Sequence, residues 1–81
     1  MTVTVRLFAR ARDLAGADRV AVELPPDATA GDLRRQLAAR VPALAALLDR
    51  SALAVGGEFA EDDQALPADA EIALLPPVSG G

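Results

Sequence analysis

The sequence predicts an α+β domain: one main amphipathic helix, with short helices, covering one face of a mixed five-stranded sheet. Three observations carry that expectation. Apolar and polar residues alternate in two early segments, which is the period of a half-buried strand. A stripe of Leu33, Leu37, Val41, Leu44 and Leu48 repeats at spacings of 4, 4, 3 and 4, the period of a helix with one buried side. The segments run strand, short helix, strand, main helix and three strands, and a lone amphipathic helix must bury its stripe on a sheet.

Residues 2–9 read as the first strand, with Val3, Val5 and Leu7 on one face and Thr2, Thr4, Arg6 and Phe8 on the other. The stretch from Ala9 to Ala15 is helix-prone and stops at Gly16, a residue suited to a left-handed cap. Residues 18–24 alternate again, with Val20, Val22 and Leu24 together. Pro25-Pro26 ends that strand because proline donates nothing to a ladder. The first two strands are expected to be neighbours. Thr29-Ala30-Gly31-Asp32 has the form of a capping box with Asp in place of Glu or Gln. Pro42 falls inside the stripe, so a break near Arg40-Val41 and a second short helix to about Leu48 are expected. Leu53 and Val55 mark a third strand. Gly56-Gly57 is a two-residue hairpin signal, with Glu58-Phe59-Ala60 returning from it. Residues 61–69 read as an acidic loop. The last strand spans 71–75, with Ile72 and Leu74 on one face and Ala73 and Leu75 on the other, and Pro76-Pro77 ends it.

Composition restricts the chemistry. The 81 residues suffice for one domain, expected over 1–75, followed by a flexible tail over 76–81. There is no Cys, His, Lys, Trp or Tyr. That excludes a thiol nucleophile, a side-chain persulfide, a zinc knuckle and a Ser-His-Asp triad. Ala supplies 19 of the 42 apolar residues, so the larger hydrophobes are ordinary in number for a small core. The net charge is −4, which argues against binding nucleic acid. Arg34, Arg35 and Arg40 read as a solvated helix face, with Asp32 and Asp49 nearby. No segment reaches the roughly 18–20 apolar residues of a membrane span, and the N-terminus lacks the plan of a signal peptide, so a cytoplasmic protein away from membranes is expected. The run Glu61-Asp62-Asp63 reads as a solvated turn, and no metal site is assigned to it.

The most informative segment is Pro76-Pro77-Val78-Ser79-Gly80-Gly81. Two prolines stiffen the exit from the last strand. The two final residues have no side chains, which suits a narrow tunnel and leaves the carboxyl carbon unhindered. That carboxylate, with an ordinary pKa of about 3.5, is inert until activated. Nothing in the chain resembles a phosphate-binding loop that could activate it.

The opening VTVRLFARARDLAG, the helix start TAGDLRRQL and the ending EIALLPPVSGG together resemble the ubiquitin-like sulfur carriers that form the small subunit of molybdopterin synthase. The resemblance covers essentially the whole chain. It implies a β-grasp fold and a thiocarboxylate on Gly81. It also implies three partners: a ubiquitin-activating-type adenylyltransferase that consumes ATP, a sulfur donor protein, and a large synthase subunit. Pro76, Pro77, Val78, Ser79 and Gly80 would enter that subunit's pocket, where sulfur passes to a cyclic pyranopterin precursor of the molybdenum cofactor, in a heterotetramer. The carrier itself would bind no cofactor and supply no side-chain catalyst. Phe8, Phe59 and Leu75 lie out of phase with the core, and the resemblance favours them as the partner interface. The sequence departs from the family pattern at Gly56, at Asp69 and at Leu74-Leu75, which stand where Asn, Gly and a Phe pair are common. Related readings are a carrier serving thiamine or tRNA thiolation, a protein modifier joined through Gly81 to a lysine, and a plain interaction module.

Overall fold

The N-terminal alternation becomes strand β1, Thr2–Leu7, with Val3, Val5 and Leu7 buried and Thr2, Thr4 and Arg6 exposed. The computed structural model describes residues 1–68 and 71–75, so Asp69 and the tail over 76–81 lie outside the described residues. Helix α1, Ala9–Ala15, is entered through Ala9 at φ 51 and closed by Gly16 at φ 70. The first of these left-handed settings costs a non-glycine residue about 1–2 kcal/mol, and the second is free for glycine. Strand β2, Arg19–Glu23, is shorter by one residue at each end than the alternation predicts, though the Leu24 amide still bonds the Met1 carbonyl at 2.8 Å. Helix α2, Ala30–Arg40, stops where Pro42 requires; a 3-10 turn over Pro42–Leu44 and the short helix α3, Ala45–Leu48, follow. Strands β3, Ala52–Val55, and β4, Glu58–Ala60, form the expected hairpin. Gly56 and Gly57 sit at φ 60 and 87, the two positive values that match a tight turn to the twist of its strands. Strand β5 is Ile72–Leu75.

Among the described residues the strands form one mixed sheet in the order β2-β1-β5-β3-β4. β1 is antiparallel to β2 and parallel to β5, while β3 is antiparallel to both β5 and β4. The parallel β1–β5 pair at the centre is not visible in any local pattern. The sheet topology and the covering helix are those of a ubiquitin-like β-grasp. The helical stripe packs on the sheet as its spacing requires: Leu33, Leu37, Leu44 and Leu48 are buried, against Val3, Val5, Leu53, Ile72 and Leu74. Val41, next to the break, is only partly buried.

The start of α2 shows how its first amides are satisfied. The Asp32 amide donates to the Thr29 hydroxyl at 3.2 Å and the Asp32 carboxylate accepts from the Thr29 amide at 2.9 Å, completing the capping box. The Ala30 amide donates to the Gln64 carbonyl at 3.0 Å and the Gly31 amide to the Asp62 carbonyl at 2.8 Å. The Leu33 amide closes the first turn on the Thr29 carbonyl. None of these five amides is left without a partner. A Cβ at position 31 would stand 3.1 Å from the Asp62 carbonyl oxygen, so glycine permits the close crossing of the loop.

That crossing changes two expectations. The loop after β4 is acidic, as read, but it also places Leu66 in the core, pinned by its amide to the Ala28 carbonyl at 3.0 Å. Arg34 is not simply solvated. Its Nε donates to the Asp62 carboxylate at 2.8 Å and its Nη1 to the Leu48 carbonyl at 2.6 Å, with only 21% of the side chain exposed. One guanidinium thus ties the loop, α2 and the end of α3, and Asp62 serves as a strut. Arg35 bonds the Asp32 carboxylate.

Candidate functional site

Pro76, Pro77, Val78, Ser79, Gly80 and Gly81 lie outside the described residues; the strand leading into them is within. β5 sits between β1 and β3, with Val5 opposite Ile72, Leu7 opposite Leu74, Leu53 opposite Leu74 and Ala52 opposite Leu75. Ile72 and Leu74 are fully buried and anchor it to the helix side. The Gly56 amide bonds the Glu71 carbonyl at 2.9 Å, extending the ladder by one residue. The described part of the chain therefore exits at Leu75, on a strand held on both sides.

Around that exit lies the sheet face opposite the helices. The registers align Arg19, Arg6, Ala73, Ala54 and Phe59 in one row across all strands. Residues opposite each other across a ladder share a face. The middle of this outer face is accordingly floored by Ala52, Ala54 and Ala73, whose small side chains leave it shallow. A depression of about 210 Å³ is lined by Arg6, Phe8, Ala54, Gly57, Glu71 and Ala73.

All three candidate interface residues belong to this face, at different distances from the depression. Phe8 lines it and is 40% exposed. Phe59 stands opposite Ala54 and is 74% exposed. Leu75 stands opposite Ala52 and is half-buried. Full burial of three large side chains would yield roughly 5–9 kcal/mol, but about half of that surface is already covered, leaving roughly 3–5. Ordering four tail residues costs roughly 4–8 kcal/mol. The two ranges overlap only at about 4–5 kcal/mol, and the alanine floor and Arg6 share the face with these three side chains.

Sequence reasoning missed those residues. The Arg6 guanidinium lies 5.6 Å from the Phe8 ring centroid and 3.5 Å from the Glu71 carboxylate. Both partners are exposed, so the pairs orient Arg6 more than they stabilise the fold. The alanines did leave a signal: Ala52, Ala54 and Ala73 occupy the outer positions of two strands whose inner positions are Leu53, Val55, Ile72 and Leu74. Beside the depression a wider groove of about 590 Å³ runs past Thr2, Thr4, Arg19 and Ala68.

The Asp32 carboxyl is held below its ordinary range chiefly by the Thr29 amide, helped by the Thr29 side chain and by Arg35, against some desolvation. Its task is the helix cap. Among the described residues no three of His, Cys, Asp or Glu gather as a metal site. No helix among them is long and apolar enough to cross a membrane.

Comparison with known proteins gives a family, two relatives and two solved structures. The ThiS family matches residues 5–81. The chain is 38% identical over 80 residues to a molybdopterin synthase sulfur carrier subunit of Dictyostelium discoideum, covering 95% of this chain and 93% of that one. It is also 38% identical over 84 residues to small archaeal modifier protein 1 of Haloferax volcanii, covering 94% and 97%. The crystal structure of that archaeal protein superposes with a TM-score of 0.87 over 100% of both chains at 35% identity. A chain in a complex of subunits 1 and 2 of the molybdopterin-converting factor from Helicobacter pylori superposes with a TM-score of 0.69, also over 100% of both, at 26% identity.

Proposed function

The chain belongs to the ThiS family, and from that membership we propose that it is a sulfur-carrier small subunit of molybdopterin synthase, holding sulfur as a thiocarboxylate on Gly81. The likeness to sulfur carrier subunits along almost the whole chain carries this reading. The Gly80-Gly81 pair placed just after a central strand supports it. A ubiquitin-activating-type enzyme joins the Gly81 carboxylate to the AMP of ATP and releases pyrophosphate. Sulfide-level sulfur delivered by a sulfur donor protein then attacks the acyl carbon, breaks its bond to AMP and releases AMP, leaving the thiocarboxylate. In the large subunit the sulfur passes to a cyclic pyranopterin precursor, and water restores the carboxylate. A large subunit as docking partner is supported by the Helicobacter complex.

This chain's part is positional. The outer face docks through Phe8, Phe59, Leu75, the alanine floor and Arg6. Residues 78–81, if fully extended, would span at most about 13–14 Å into the partner. Glycine at the last two positions admits the narrowest tunnel.

Intact mass spectrometry of the protein from its native host tests the assignment. A gain of about 16 Da, one oxygen exchanged for sulfur at the terminal carboxyl, is expected. Deleting Gly81 should abolish the gain and leave the fold intact; a truncated protein that still delivers sulfur overturns the assignment. A second reading, a protein modifier, is favoured by the likeness to small archaeal modifier protein 1. It predicts higher-mass conjugates that survive denaturation. A loaded protein that leaves the pyranopterin unconverted in the presence of the large subunit would point to thiamine or tRNA thiolation.

A further inference from the structure

Strand β2 lies at one edge of the sheet, and half of its backbone hydrogen-bonding capacity faces away from it. The Leu7 amide donates to the Asp18 carbonyl and the Leu24 amide to the Met1 carbonyl, both at 2.8 Å. Between them Val5 faces Val20 and Val3 faces Val22. Hydrogen-bonded pairs alternate along an antiparallel ladder, so Val20 and Val22 turn their N–H and C=O groups toward β1. Arg19, Ala21 and Glu23 turn theirs to the open edge. No strand lies beyond β2 among the described residues.

We propose that this edge pairs with the same edge of a second copy, antiparallel, about a two-fold axis through Ala21. The inference goes beyond the sulfur-carrier reading and does not depend on it. In that register the three outward residues of each copy exchange roughly six hydrogen bonds. The axis also sets Arg19 opposite the partner's Glu23, and Glu23 opposite the partner's Arg19. Edge charges usually keep strands apart. Here their opposite signs, placed symmetrically about Ala21, make the edge complementary to itself.

Other two-fold registers fail. Centring on Arg19 or Glu23 sets like charges face to face, which is unfavourable. Centring on Val22 puts Arg19 opposite Pro25, which has no N–H. Centring on Val20 sets Arg19 against Ala21 and leaves Glu23 unmatched. Ala21 is exposed and small, so nothing bulky stands at the axis. The existing partners are weak competitors: Glu23 accepts from the Thr2 hydroxyl, and Arg19 lies 3.8 Å from Asp18 with both side chains largely exposed. Pro25 and the turn at Gly16 limit the ladder to about five residues, so the dimer is reversible, with Kd on the order of 0.1–1 mM. The axis turns the two β5 strands head to tail, and Leu75 of each copy points to an opposite end of the joined sheet.

Sedimentation and amide NMR shifts of the full chain between about 0.05 and 2 mM test this. Concentration-dependent dimerisation is expected, with shifts at Arg19, Ala21 and Glu23. Arg19→Glu and Glu23→Arg should each weaken it about tenfold or more, because two attractive pairs become repulsive. Mixing those two variants should restore a heterodimer, and the double variant should restore the homodimer. Circular dichroism checks that these surface changes keep the fold. A wild type monomeric to about 2 mM overturns the proposal, as does dimerisation indifferent to both reversals, or a mixture that fails to recover. Shifts centred on Phe8, Phe59 and Leu75 would assign the dimer to the outer face and overturn it equally. So would edge amides that respond only to a different protein.

Discussion

The two faces of the sheet are built from the same strands and have opposite contents. On the helix side stand Val3, Val5, Leu7, Val22, Leu53, Val55, Ile72 and Leu74, each no more than 8% exposed. On the outer side stand Thr2, Thr4, Arg6, Ala21, Ala52, Ala54 and Ala73, with Phe8, Phe59 and Leu75 around them. Every second residue is committed to stability and its neighbours are released from it. A short chain has few residues for two tasks, and the pleat separates the tasks without enlarging the domain.

Leu74→Ala attacks the inner face and has the largest expected effect. Removing this fully buried side chain should cost about 3–5 kcal/mol in urea unfolding. A domain of this length holds about 4–12 kcal/mol in all, so the variant should lose between about a quarter and all of its stability. Phe8→Ala with Phe59→Ala attacks the outer face. Stability should change by less than about 1 kcal/mol, while affinity for a large subunit, measured by calorimetry, should fall about 10–100-fold. If the outer pair unfolded the protein or left affinity unchanged, the division of labour would be wrong.

Smaller effects test the helix that covers the inner face. Thr29→Ala removes the cap and should cost about 1 kcal/mol in thermal or urea unfolding. Asp32→Asn tests the same box by pH. The folded-state pKa of Asp32 lies below its ordinary 3.8, so its contribution is present above that value and is lost as pH falls through the lower folded one. The melting points of wild type and Asp32→Asn should therefore differ at pH 7 and converge in strong acid. A gap that persists there would assign the effect of the substitution to something other than the charge.

Much of this organisation is legible in the sequence because it is periodic or local. Val3-Val5-Leu7 and Ile72-Leu74 reveal their faces by alternation. Thr29 and Asp32 announce the helix start, Pro42 its break, and Gly56-Gly57 the hairpin. What escaped has no period. Leu66 is a single apolar residue in an acidic loop, and its burial depends on α2 being there to receive it. Arg34 looks like any helix-surface arginine until the loop brings Asp62 to it across 28 positions. The Arg6–Phe8–Glu71 group needs the parallel pairing of the first and last strands, which no local pattern encodes. The terminal glycines are the reverse case: their sequence speaks plainly, and they lie outside the described residues.

The central place of β5 also has a mechanical meaning. Any pull applied through residue 76 is delivered at Leu75 along the strand axis. Because β5 runs parallel to β1, tension between the two ends of the chain loads their ladder in shear, and the β3 ladder resists beside it. Hydrogen bonds loaded in shear must yield together, whereas those at a peeled edge yield one at a time. Were a partner to pull on the chain beyond Leu75, the load would fall on the strand of the sheet that peels least easily.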